Sequence, residues 1–216
     1  MHHDYSTQND TAKWIQVTIL SASTANKRAK WITKWIKIAN KLFEAHDFQT
    51  LAAIHGALTS QPIYRQNAAW KKVPAKYCIK FEEFKVIYDS RGNHANLRKI
   101  HRETPLPMVA YAGVLLQVLF QIDEGAKSKE KDGSVNFSKL MRLHAAVQRI
   151  TMIKQHKYEI EKNEKMERFL RNCLSRYAHL TGDDVYRKST DALNNDDPKR
   201  QSSRIRHLSK SAKSLF

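Results

Sequence analysis

The sequence predicts an all-α fold, and three observations carry that prediction. Apolar residues recur with helical spacing through most of the chain, and no segment alternates with period two for long. Six Gly and five Pro among 216 residues are too few for a turn-rich β protein. At 41% hydrophobic residues and this length, the chain can bury the core of one domain.

The elements follow in order. Residues 1–12 are polar and expected to form a flexible N-terminus, with helical spacing emerging where Ile15 and Ile19 stand four apart. Ser21, Ser23 and Thr24 offer N-cap chemistry for a second helix carrying Trp31, Trp35, Ile38 and Leu42 on a wide apolar stripe. Asp47 can cap a third, whose small residues Ala52, Ala53, Gly56 and Ala57 permit close approach, and Pro62 ends it. Tyr77, Phe81, Phe84 and Tyr88 mark another helix; Gly92 and Asn93 read as a turn before a short helix stopped by Pro105 and Pro107. The most hydrophobic segment, 108–122, closes on Asp123, Glu124 and Gly125. After a charged loop, Asn136 can cap a long helix with Phe137, Leu140, Leu143, Val147 and Ile150 on its face. A last helix over 163–180 ends at Thr181 and Gly182. Residues 13–182 are thus read as the folded domain and 183–216 as a basic, weakly structured tail.

Composition narrows the function. The net charge of +17 predicts an acidic counterpart. Six Lys or Arg and no acid fall between Lys199 and Phe216, so part of the excess belongs to the tail, which could meet an anionic membrane surface. Cys78 and Cys173 lack metal-ligand spacing and read as reduced core thiols, and the N-terminus has no secretory h-region. Segment 108–122 is too short to span a bilayer. No phosphate-binding glycine loop, GxSxG or HExxH motif occurs, no histidine pair has ligand spacing with a carboxylate, and no nucleophile stands beside a base. His55 reads as a packed core residue and His144 as a partly exposed one. The expectations are no cofactor or metal, no nucleic acid, and a cytoplasmic protein that could sit peripherally at a membrane.

One local feature breaks the helix rules. Asp123 and Glu124 oppose the macrodipole in the last turn of their helix, at a cost of about 0.3–1 kcal/mol each when exposed. Phe120 and Glu124 are four apart and share a face, so the helix presents an apolar knob next to a carboxylate. Such a breach marks either a functional tip or merely a buried Phe and a solvated Glu before a glycine cap.

Four stretches, in order, resemble the catalytic domain of Ras-family guanine nucleotide exchange factors of the Sos type. They are the segments 27–40 and 48–58; Gln61, Pro62, Ile63, Tyr64 and Arg65 with Trp70 and Pro74; Gly92 to Arg98 with the proline pair; and Gly113 through Phe120 to Gly125, then Asn136 and Phe137. The resemblance covers about residues 13–182. It implies an irregular orthogonal helical bundle with a protruding helical hairpin that binds a nucleotide-free Ras-like small GTPase of Ras, Rap or Ral type and promotes GDP release. It assigns the working tip to Phe120, where magnesium would be held, and Glu124, which competes with nucleotide phosphate. Thr59, Arg65, His94, Tyr111, Gly113, Asp123 and Gly125 match positions that contact the GTPase or shape its pocket. Thr59 and Ala126 stand where the family has asparagine, and the family's further N-terminal segment, which precedes the helix at Trp14, is expected to be missing from this chain. Three readings follow: an exchange factor, a related module that binds without exchange, and a basic membrane-surface protein.

Overall fold

A computed structural model of the chain describes residues 2–196, with side chains from residue 8 onward. The basic stretch 199–216 lies outside the described residues. Among those described there are helices, two isolated β-bridges and no strand, so the all-α expectation holds. No described helix is long and apolar enough to cross a membrane, and no described cluster of His, Cys, Asp and Glu has the makings of a metal site. The two cysteines are free thiols, each half-buried.

The chain forms two compact units, with boundaries falling inside three of its helices. Among the described residues, the first unit comprises 2–39, 53–81 and 163–196. Helix α1 (His2–Leu20) carries Ile15 and Ile19 into its core and packs on α4 (Gln61–Tyr64), α10 (Glu164–Ala178) and α11 (Gly182–Asp196). The polar residues 2–12, expected to be flexible, continue this helix: once Ile15, Val17, Ile19 and Leu20 are buried, each added turn costs only propagation, not nucleation. Helix α2 (Ala25–Glu44) begins where Thr24 accepts the Lys27 N–H at 3.3 Å, and its Trp35 meets Trp14 edge to face at 5.1 Å. The C-terminal half of α3 (Phe48–Thr59) adds Ala57 and Leu58 to this core. The short α5 (Asn67–Trp70) and the start of α6 (Ala75–Ile87) bring Trp70 onto Phe81, stacked at 5.3 Å.

The stretch 183–196, expected as part of the weakly structured tail, is instead α11. Thr181 and Asp184 form a reciprocal cap: Thr181 Oγ1 accepts the Asp184 N–H at 3.2 Å, and the Asp184 carboxylate accepts the Thr181 N–H at 2.9 Å. The Thr181 hydroxyl donating to Asp184 Oδ2 at 2.7 Å, and then the Thr181 N–H, hold the Asp184 carboxyl below its ordinary range. The residues that read as a helix end therefore also open the next helix. Val185, Ser189 and Ala192 are buried. Ser189 Oγ donates to Pro62 O at 2.7 Å and accepts from Gln66 Nε2 at 2.9 Å and Arg65 Nε at 2.7 Å. Arg28, wholly buried, donates to Ala22 O at 2.9 Å and pairs with Asp196 at the far end of α11.

The second unit comprises residues 40–52 and 82–162. Asp47 accepts the Thr50 N–H at 2.9 Å and so caps α3, as expected. Phe48, Leu51, Phe84, Leu97, Met108, Val114 and Ile122 are buried in this unit, and Tyr88 donates to Phe48 O at 2.6 Å. Burial and the nearby Asp47 push the Tyr88 phenol far above its ordinary value, so it keeps the proton it donates to Phe48 O. Helix α7 (Arg91–Glu103) contains Gly92, Asn93 and His94 in left-handed conformation, φ 59°, 58° and 56°, which is the expected turn. The hydrophobic segment becomes helical only at α8 (Ala112–Glu124), because residues 108–111 are extended and Val109 bridges the backbone at residues 46–48. Helix α9 (Phe137–Gln155) opens with Asn136 accepting the Lys139 N–H at 3.0 Å and packs on α8.

Replacing Ser189 by Ala removes one donor and one acceptor shared by three partners and leaves Arg65 Nε without its hydroxyl, while Gln66 Nε2 keeps the carbonyls of Pro62 and Ser189. The expected loss is about 1–3 kcal/mol in urea unfolding; an unchanged midpoint would show that α11 is not held by this cluster.

Candidate functional site

The hairpin of α8 and α9 is built from one end of each helix. Four of the last α8 residues have opposite fates. Phe120 is 65% exposed, Ile122 is buried, and Asp123 and Glu124 face solvent. The awkward acidic end is resolved by Lys139, whose side chain is almost wholly buried. Its ammonium donates to Asp123 O at 2.8 Å, to Asp123 Oδ1 at 2.8 Å and to Ser128 Oγ at 3.2 Å. A cation thus sits at the C-terminal end of the dipole and fills an open carbonyl of the last turn. Asn136 Nδ2 donates to Lys127 O at 3.1 Å, and Lys129 pairs with Val135, so the connecting loop is fastened to the same point. Gly125 donates to Gln121 O at 3.0 Å, and a Cβ there would fall 2.5 Å from that oxygen, so the helix closes tightly only on glycine. Glu124 makes no hydrogen bond or ion pair among the described residues.

At the other end of α8, Tyr111 is the N-cap residue and its ring lies edge-on to Tyr88 at 6.2 Å. Gly113 makes this possible: a Cβ there would come within 2.8 Å of the Tyr111 ring. The Tyr111 N–H donates to His101 Nε2 at 3.4 Å. His101 is buried beside Phe48, and burial, then the Arg149 guanidinium, lower its pKa from 6.5 to about 4. Arg149 in turn donates to His101 O at 2.8 Å and Thr104 O at 3.1 Å. His94 is half-buried in its left-handed turn, with Nδ1 unpartnered.

Of the expected site residues, Phe120, Glu124, Asp123, Gly125, Tyr111, Gly113 and His94 all fall in the second unit. Asp123 is committed to Lys139 rather than left free. Thr59 and Arg65 fall in the first unit. The Thr59 hydroxyl donates to His55 O at 2.8 Å on its own helix. Arg65 donates to Ser189 and, at 2.7 Å, to Thr190 Oγ1, and stacks on Tyr186 with its guanidinium carbon 4.0 Å from the ring centre.

Residues 3–141 match the RasGEF domain family. The chain belongs to that family. It is similar to Ras-specific guanine nucleotide-releasing factor 1 of Homo sapiens, 28% identical over 162 residues, which are 75% of this chain and 13% of that protein. It is also similar to Ras guanyl-releasing protein 3 of Homo sapiens, 27% identical over 181 residues, 84% of this chain and 26% of that protein. Ras guanine nucleotide exchange factor P of Dictyostelium discoideum is 27% identical over 163 residues, 75% of this chain and 11% of that protein. The chain therefore spans between 11% and 26% of the length of these relatives.

Three structural residues of this RasGEF chain were missed in its sequence. Lys139 shares a helical face with Leu143, so a lysine on an apolar stripe was the available signal. His101 follows the buried Leu97 by four residues and could have been placed inside by the same spacing. Arg149 had no signal, because its partners are carbonyls of a distant turn.

Lys139→Met keeps the stem and removes the ammonium. The expected outcome is a loss of about 1–2 kcal/mol and faster amide exchange over residues 123–128, with exchange in α3 unchanged. Equal exchange rates would mean that the loop holds without the lysine. His101 gives a pH test. The unfolded ring, near its ordinary 6.5, takes a proton before the folded one does at about 4. Its contribution is complete above 6.5 and declines as pH falls toward 4, by at most about 3 kcal/mol. Urea unfolding from about pH 7 down to about pH 4.5 should show a steeper decline for wild type than for His101→Leu; parallel curves would refute the assignment.

Proposed function

We propose that this RasGEF chain promotes guanine nucleotide release from a Ras-like small GTPase through the Sos-type hairpin, with Phe120 and Glu124 as its working tip. The observation that carries the reading is the division of labour between two adjacent carboxylates. Asp123 is bound by Lys139, while Glu124 is left exposed and unpaired one turn beyond an exposed Phe120. A large apolar ring in water on the same face as a free carboxylate is unfavourable for the chain alone and suits insertion into a polar, cation-lined partner site.

The chemistry follows from what each group can and cannot do. In a GTPase, magnesium bridges the phosphates to a P-loop hydroxyl. Phe120 placed there offers the metal no ligand. Glu124 accepts the hydrogen bonds that phosphate had been accepting. No covalent step is involved. The chain binds the nucleotide-free GTPase more tightly than the loaded form, and reciprocity requires that nucleotide binding weaken by the same factor. Each tenfold weakening corresponds to about 1.4 kcal/mol of that differential affinity. Binding without release is the second reading, favoured by Thr59 and Arg65 being engaged within their own unit.

Fluorescent-nucleotide release across Ras, Rap and Ral proteins tests both. Phe120→Ala and Glu124→Ala should each slow release by about tenfold or more without lowering the melting temperature. If folded wild-type chain captures nucleotide-free GTPase yet leaves release at its intrinsic rate, the exchange reading fails and the binding reading stands.

A further inference from the structure

Helices α7, α8 and α9 of the second unit line a groove of about 890 Å³ behind the tip. Its α8 wall is made by Val114, Leu115, Val118, Gln121 and Ile122. Val118 and Ile122 each stand two residues from Phe120 and so project about 160° away from it. The groove is therefore separate from the face that carries Phe120 and Glu124. Arg98, Lys99 and Arg102 enter from α7, Arg142 and Arg149 from α9, and no carboxylate lines the groove. Five cations with no acid among them repel one another and lower the stability of the unoccupied groove.

Two buried donors point to what completes it. His101 Nδ1 and Arg149 Nε both lack a partner among the described residues. Because His101 Nε2 accepts the Tyr111 N–H, the proton of the neutral ring resides on Nδ1. The two orphaned donors belong to adjacent groups, since Arg149 Nη2 lies 2.8 Å from His101 O. An unmatched buried donor destabilises the fold, and an acceptor-rich ligand would relieve that. Apart from the amides of Asn96 and Gln121, the rest of the wall is apolar: Ala146 and Ile153 follow Arg142 on the α9 stripe and face the valines of α8.

We propose that this groove binds an anionic amphiphile, its carboxylate or phosphate head set among Arg149, His101 and the α7 cations and its alkyl chain laid along Val114, Val118 and Ile122. A simple inorganic anion would leave the apolar wall wet, and a neutral lipid would leave the cations and both donors unmatched. The volume suits such a ligand, since small-molecule sites run to about 300–1,000 Å³. Because α8 and α9 each form a wall, the occupant braces the hairpin from the side away from the tip. The binding claim stands independently of nucleotide exchange.

The test is calorimetric titration of the full chain with dodecyl phosphate below its micelle concentration, with dodecanol, inorganic phosphate and phosphatidylserine vesicles as parallel arms. Dodecyl phosphate should bind in the micromolar range, and dodecanol and inorganic phosphate at least about tenfold more weakly. Ala146→Trp, which fills the apolar wall, should abolish binding. Arg102→Glu with Arg142→Glu, both at exposed positions, should weaken it by about tenfold or more, with melting temperature confirming that each variant folds. Free-amphiphile binding that Ala146→Trp also abolishes at the vesicle surface identifies a bilayer as a second source of the same head group. Three results would overturn the proposal: inorganic phosphate binding as tightly as dodecyl phosphate, Ala146→Trp binding dodecyl phosphate like wild type, or vesicles binding while the monomeric amphiphile does not.

Discussion

The buried ammonium of Lys139 is the contact on which the hairpin depends. A helix that ends in two acids has its terminal carbonyls and its carboxylates competing for too few donors. Lys139 meets one carbonyl and one carboxylate of the same residue, Asp123, and reaches Ser128 in the loop. Helix end, loop and start of the next helix are thereby tied at one atom. The salt bridge itself contributes little, since the Asp123 side chain is 73% exposed. Its importance is geometric: it separates two adjacent carboxylates into one that is occupied and one that is free.

A second arrangement of the same kind holds α11 in the first unit. Ser189 is a small residue with two lone pairs and one proton, and all three are used. Arg65 spends its guanidinium on α11 and Arg28 spends its own on Asp196 and Ala22. These arginines thus terminate helices and join segments far apart in sequence, as Arg149 does with the carbonyls of His101 and Thr104. A net charge of +17 is for that reason not all surface charge.

The apolar residues of the hairpin are arranged differently from those of the cores. Among described residues of α9 only Lys139 is buried, while Phe137, Leu140, Met141 and Val147 are exposed. The amphipathic stripe that reads as core in the sequence is here surface, because α9 packs along one side only. Contiguous exposed apolar surface of this sort marks a place where another surface is meant to sit.

By itself the sequence determined the helical class, the cap chemistry before α2, the caps at Asp47 and Asn136, the turn at Gly92 and Asn93, and the placing of Phe120 and Glu124 on one helical face. Those features are local: they follow from spacing within a turn or two and from side chains bonding their own backbone. The sequence did not reveal that residues 2–12 extend α1, that Thr181 opens a helix as well as following one, or that residues 183–196 are folded, because burial by distant partners decides each. Nor could spacing show that Asp123 is occupied and Glu124 free, since the deciding donor lies 16 residues further on and its role appears only when α9 folds back on α8. Tertiary structure decided which polar groups were spent on holding the fold, and so which remained for a partner.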